Sequence, residues 1–191
     1  MPDGYKKRLR SYDFLGQNIR RYGKKLLIEP ARKNVQSFLK KARDIIRRLW
    51  SAPQHRLIDA LNPVIAGWAM YHRHVVAQET LSYVDSHIWY AIWQWAKRRH
   101  PKKRPDWVRR RYFHQIGVRR WVFGVATDEV DNSGHPLLQT LRTAASVTIE
   151  RHPKVQSDAN PYDREWYTYF AQRAAIRSRV SRARRKGNGR S

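Results

Sequence analysis

The sequence predicts a mainly α chain with a short N-terminal β-hairpin, a bundle of about three long helices, and a smaller mixed α+β region after it. Three observations carry that prediction. Apolar residues recur at three-and-four spacing through long runs between residues 31 and 100, which is the period of a single helix stripe. Ser51-Ala52-Pro53 and the proline-bounded basic stretch His100 to Pro105 interrupt those runs. Ahead of them, short extended pieces are punctuated by Gly16 and Gly23, the pattern of strands joined by tight turns.

Residues 1–11 are basic and poor in apolar positions, and read as an arm. Tyr12 to Gly16, Ile19, Tyr22-Gly23 and Leu26 to Ile28 then form two extended pieces about a glycine turn, so a hairpin is expected over this stretch. Pro30 stands where a helix begins, because a first helical turn has no intrahelical use for the missing N–H. From Ala31 to Trp50 the stripe is Val35, Phe38, Leu39, Ala42, Ile45, Ile46, Leu49 and Trp50. On the other face Lys33, Lys40 and Arg47 fall seven apart, with Lys41 and Arg48 alongside and Asp44 as the one acid. A plain solvated face would carry more ion-pair lacing than that.

A second helix is expected from about Gln54 to Val76, packing through Leu57, Ile58, Leu61, Ile65, Trp68 and Ala69. Asn62-Pro63 inside it is expected to kink or divide it, since proline removes one hydrogen bond and crowds the preceding turn. A third helix, about Gln78 to Arg99, offers Leu81, Val84, Ile88, Trp89, Ile92, Trp93 and Ala96. Three such helices close a small bundle, with Trp50, Trp68, Trp89 and Trp93 assigned to its core. Beyond the linker, Asp106 to Phe113 reads as a short helix and Arg119 to Ala126 as a strand. Leu137 to Ile149 fits helix or strand, and Asp163 fits an N-cap for a helix from Glu165 to about Ala175. The domains expected are thus an arm (1–11), the hairpin and bundle (12–100), a small C-terminal region (105–175) and a basic tail (176–191), the tail unstructured without its partner.

Lys and Arg number 40 against 15 Asp and Glu, a formal net charge of +25. So much like charge in a compact chain calls for a polyanionic partner, and nucleic acid is the first candidate because neutralised phosphates release counterions. No apolar run reaches the length of a membrane span, and the opening MPDGYKKRLR lacks the apolar segment of a secretory signal. Absence of cysteine excludes disulfides and thiolate zinc sites.

His72 and His74 are two apart, which on a helix points them in different directions, so no metal site is expected. His72-Arg73-His74 is read either as a set of phosphate contacts or as packing and capping histidines. The acids are scattered with no Asp-Asp pair, and no Walker loop, GxSxG elbow or HExxH pair occurs. A non-catalytic binding chain without cofactor or metal follows. Its remaining signal is aromatic residues beside cations, namely Tyr71, Trp95, Trp107, Tyr112 and Trp121, as in stacking contacts to single-stranded RNA.

Three segments, FLGQNIRRYGKKLLIEP (14–30), LNPVIAGWAMYHRHVV (61–76) and IWYAIWQWAKRRHP (88–101), together resemble the thumb or X domain of group II intron reverse transcriptase/maturases. NPYDREWYTYF (160–170) is similar to the region these proteins carry further on, associated with DNA binding. The resemblance implies a thumb-like helical module that binds group II intron RNA and assists its folding and splicing. It also implies a bacterial, cytoplasmic setting with the chain held on RNA or the nucleoid, and no membrane. The Tyr-x-Asp-Asp palm motif and the cysteine-containing endonuclease are not in these 191 residues. Two other readings therefore stand beside it: the thumb of a split reverse transcriptase working with a separate fingers/palm chain, or a generic basic DNA-binding protein.

The RNA contacts expected are Arg20, Arg21, Lys24 and Lys25 of the hairpin, Lys33, Lys40, Lys41, Arg47 and Arg48 of the first helix, Tyr71, His72, Arg73 and His74, and Lys97, Arg98 and Arg99. A second set is expected to meet target DNA or RNA: Lys102, Lys103, Arg104, Arg109, Arg110, Arg111, Arg119 and Arg120.

Overall fold

A computed structural model describes residues 11–23, 25–130, 134–150, 155–156 and 158–175. The expected arm, up to residue 10, and the basic tail from 176 lie outside the described residues, as does Lys24. The chain divides into two compact units, residues 1–151 and 152–191.

The first unit opens with a three-stranded antiparallel sheet, β1 (Ser11–Phe14), β2 (Gln17–Tyr22) and β3 (Lys25–Pro30), in that order. The expected hairpin is present and gains a third strand, because Gly16 and Gly23 each close a tight turn. Leu15 and Gly16 both have positive φ, 48° and 74°, the backbone of a two-residue turn that follows the twist of its strands. Gly16 is held to that residue type twice over, since a Cβ would also stand 2.6 Å from the Asn34 side chain.

Helices α1 (Arg32–Arg48), α2 (Gln54–His72) and α3 (Gln78–Arg99) follow, and α1 packs on both of the others. The stripe predicted for α1 is the buried one, Val35, Phe38, Leu39, Ala42, Ile45 and Ile46. Those residues meet Leu57, Ile58, Leu61 and Ile65 of α2 and Leu81, Val84, Ile88 and Ile92 of α3 in one continuous core. Helix α2 runs through Pro63 undivided and ends at His72, four residues short of the expected Val76. The helix ends there because Val75 and Val76 turn back toward the sheet, where the Val76 N–H donates to the Ile28 carbonyl at 2.9 Å.

Helix α4 (Pro105–Tyr112) leads into a second antiparallel sheet, β4 (Phe113–Ile116), β5 (Arg119–Val130) and β6 (Pro136–Thr140). The segment 137–149, open between helix and strand in sequence, is a strand followed by a 3₁₀ turn at Ala144–Ser146. That turn is fixed by Asp85 of α3, whose carboxylate accepts from the Ala144 and Ala145 N–H groups at 2.6 and 2.9 Å. Val108, Tyr112, Phe113 and Phe123 join the helical core, so α4 and the second sheet are packed on the bundle. Gln54 ties the two further, donating to the Tyr112 and Gly124 carbonyls at 3.0 and 2.8 Å.

In the second unit a 3₁₀ turn (Arg164–Trp166) opens into a helix over residues 167–175. Asp163 caps it as expected, its carboxylate accepting from the Glu165 N–H at 3.2 Å.

Candidate nucleic-acid interface

Because α1 spends its apolar positions on the core, its other face is left to cations. Lys33, Lys40, Lys41, Arg43, Arg47 and Arg48 are all exposed, and Asp44, the one acid among them, is ion-paired to Arg47. Beside this face, α1 and α2 leave two adjoining hollows of about 530 and 540 Å³ that share Ser37, Lys41 and Val64. Lys40, Lys41 and Arg48 line the first, while Phe38, Pro63, Trp68 and Tyr71 line the second. Gly67 also lines the second, where a Cβ would meet nothing within 4 Å. The result is a cleft with an apolar floor and a cationic rim, suited to a sugar–phosphate strand. Charge spacing announced the rim in the sequence. The floor was not legible, because Pro63 and Gly67 declare themselves only when two helices meet.

At Tyr71 to His74, where the sequence left phosphate contacts and packing or capping both open, the side chains after Tyr71 are buried or half-buried. His72 is fully buried and is thereby excluded from the predicted RNA contacts. It sits against the Trp68 and Tyr71 rings, at 4.6 and 4.9 Å between centroids. Its Nε2 lies 3.1 Å from the Asn34 side-chain oxygen, which also accepts from the Trp68 indole N–H at 2.7 Å. Burial pushes the imidazole down from the ordinary 6.5 to about 4, so the ring is neutral in the folded protein. Arg73 and His74, half-buried, hold the end of the unit: Arg73 pairs with the Glu150 carboxylate at 3.2 Å, and His74 Nδ1 lies 2.8 Å from the Glu150 carbonyl. Tyr71 is half-exposed beside the cleft, and its hydroxyl donates to the Leu15 carbonyl of the first turn. The motif therefore joins sheet, helices and residue 150, and of its four residues Tyr71 to His74 it is Tyr71 that is exposed.

Other predicted residues divide the same way. Arg21, Lys25, Lys97, Arg98, Lys102, Lys103, Arg104, Arg110, Arg111, Arg119 and Arg120 are exposed, and Arg20 is half-buried. Arg99 turns inward, donating to the Trp50 and Ala52 carbonyls at 2.8 Å each. Arg109 lies over the Trp121 ring and 3.6 Å from Asp106. His100 is held below its ordinary range by desolvation first, then by the nearby Arg99, Arg111 and Lys103, which marks a second concentration of positive charge where α3 hands over to α4. Of the candidate stacking aromatics, Trp95 and Tyr112 are buried whereas Tyr71, Trp107 and Trp121 are exposed. Trp50 reverses its expectation too: assigned to the core, it is 56% exposed.

Among the described residues no group of three or more His, Asp or Glu is placed to hold a metal ion, and no helix is long and apolar enough to cross a membrane. No curated protein matches the chain. The cleft, the basic face of α1 and the hub at His72 all fall in or between helices α1 and α2, and apart from residues 32–34 these helices lie in a stretch that matches a family model. Residues 35–113, from the first turns of α1 to the start of β4, match the group II intron maturase-specific domain, so this stretch is an RNA-binding module of the maturase type.

Proposed function

We propose that this chain binds group II intron RNA through the exposed cations of α1 and the α1–α2 cleft, and by holding the RNA assists its folding and splicing. The observation that supports this most directly is the asymmetry of α1: seven exposed cations, Arg32 included, against one acid, next to a cleft that shares three of them. A duplex or loop laid along this face would meet phosphates with Lys40, Lys41 and Arg48 and could set a base edge or sugar against Tyr71. The exposed set Lys102 to Arg104, Arg110, Arg111, Arg119 and Arg120, on the linker after α3, on α4 and on β5, would supply a second contact, to a further part of the RNA or to target DNA.

The test is binding of a group II intron RNA to the whole chain by filter retention or gel shift. Lys41→Glu with Arg48→Glu is expected to weaken binding at least tenfold, each reversed contact removing a phosphate neutralisation. Both side chains are exposed, so the melting temperature is expected to stay within a few degrees. Unchanged affinity in a folded variant overturns the assignment of this face. Equal affinity of the wild-type chain for intron RNA and for duplex DNA of the same length would favour the reading as a generic DNA-binding protein.

A further inference from the structure

On the flank of α1 away from α2 lies a smaller cleft of about 230 Å³, between the C-terminal turns of α1 and α3. Its wall is built from Ile46, Ala91 and Trp95, and Arg47 and Arg98 stand at it with Trp50. Trp50 is the unexplained member. It continues the apolar stripe of α1, yet its ring is mostly in water, where a large apolar surface has no stabilising role of its own.

Its backbone, by contrast, is firmly held. Arg99 clamps the Trp50 and Ala52 carbonyls at 2.8 Å each and lies 4.6 Å from the Trp95 ring centroid. The Trp95 indole N–H donates in turn to the Leu49 carbonyl at 3.1 Å. A fixed backbone carrying a free indole over an apolar cleft is a prepared surface, since little order remains to be imposed when something stacks there. The cleft is smaller than the roughly 300–1,000 Å³ of a drug-sized ligand site, and so suits one planar ring system. No carboxylate lines it. Arg98 forms no ion pair among the described residues, and Arg47 shares its charge with Asp44. An exposed indole over an apolar wall, with guanidinium at the rim, is complementary to a base and its phosphate.

We infer that the cleft between the ends of α1 and α3 receives a single unstacked nucleobase of the bound RNA, stacked on Trp50, with its phosphate held by Arg98 and secondarily by Arg47. The inference rests on the reading of the chain as an RNA-binding module and adds a site on the opposite flank of α1. It gives the module a preference for unpaired nucleotides that the α1–α2 cleft, with its phosphate contacts, does not require.

The experiment compares two probes, a single-stranded oligoadenylate and a blunt RNA duplex of equal length, by fluorescence anisotropy with the whole chain. Trp50→Ala is expected to weaken oligoadenylate binding by roughly tenfold, the loss of one stacked base, and to leave duplex binding within twofold. Trp50→Phe retains most of the affinity. Ala91→Leu, which fills the cleft and leaves every charge and Trp50 in place, is expected to reproduce the loss, and it decides the matter should Trp50→Ala fold poorly. Wild-type affinity of Trp50→Ala and Ala91→Leu for oligoadenylate overturns the site, as does an equal loss for both probes. If those variants bind as wild type while Lys41→Glu/Arg48→Glu still releases the RNA, the base site fails and the broader reading stands. If the charge reversals also have no effect, the broader reading fails with it.

Discussion

Asn34 shows how much one side chain decides here. Its oxygen accepts from Trp68 and is within hydrogen-bond distance of His72, and its amide fills the space that Gly16 leaves. Removing it strands two partly or wholly buried donors, each worth about 1–3 kcal/mol when left unpaired. Asn34→Ala is therefore expected to cost about 2–4 kcal/mol in a urea titration, while Asn34→Asp, which keeps the acceptor, costs less. The same cluster sets a pH response. A neutral His72 with a folded value of about 4, against an ordinary 6.5, leaves stability unaffected above pH 6.5, where folded and unfolded chains are both unprotonated. Between pH 6.5 and 4 the unfolded chain takes up the proton first, so acidification draws the equilibrium toward it by up to about 3 kcal/mol. Wild type is expected to lose more stability over that interval than His72→Phe; parallel curves for the two proteins would show that this ring does not titrate on unfolding. None of this was legible beforehand, because neither Asn34 nor Gly16 lies near His72 in sequence. Residue type alone left His72 open between phosphate ligand and packing residue, and burial decides for the second.

Helices were the most readable elements. Periodicity located α1 and α3 nearly to the residue, since an apolar stripe and a basic face leave little freedom in phase. What it misread was Trp50, which keeps the stripe's phase but falls beyond the last helical turn, where α1 has ended at Arg48 and phase no longer fixes direction. Proline in α2 was the second ambiguity, and it is resolved by tertiary ties on both sides. Asn62 donates to the Thr140 carbonyl at 3.0 Å and accepts from the Arg142 N–H at 2.8 Å, while Leu61 and Ile65 are buried in the core. Packing thus overrides a residue that costs about 3 kcal/mol relative to alanine in a free helix. Pro63 is itself exposed, so Pro63→Ala is expected to stabilise the protein by about 1–2 kcal/mol, part of the helix gain being offset by a more disordered unfolded chain. Differential scanning calorimetry reads this as a rise in melting temperature. A fall would mean that the proline ring contributes packing in the cleft beyond what helix propensity describes. Strand 136–140 and the 3₁₀ turn after it were the least readable, because their partners, β5 and Asp85, are supplied by distant parts of the chain.

At the scale of the molecule, charge is the dominant fact. With a formal net charge of +25 and 40 Lys and Arg against 15 Asp and Glu, there are too few acids to pair most cations, and repulsion among them is present in the free protein. An RNA relieves it, and this couples binding to stability: whatever binds the folded chain and not the unfolded one raises its melting temperature by mass action. The free protein should also gain stability when simple salt screens its charges, over the range in which the Debye length shrinks from about 30 Å at 0.01 M to about 10 Å at 0.1 M. The complex should respond in the opposite sense, because salt competes for the phosphates. Log affinity is expected to fall linearly with log salt, by about 0.7–0.9 for each phosphate neutralised. The slope should therefore drop by close to two such steps in Lys41→Glu/Arg48→Glu, and by no more than a fraction of one in Trp50→Ala, whose lost contact is apolar. Measured together, stability rising with salt and affinity falling with it would identify phosphate neutralisation as the main drive for binding. Affinity that ignores salt would instead put the apolar contacts, Tyr71 and Trp50 among them, ahead of the basic face.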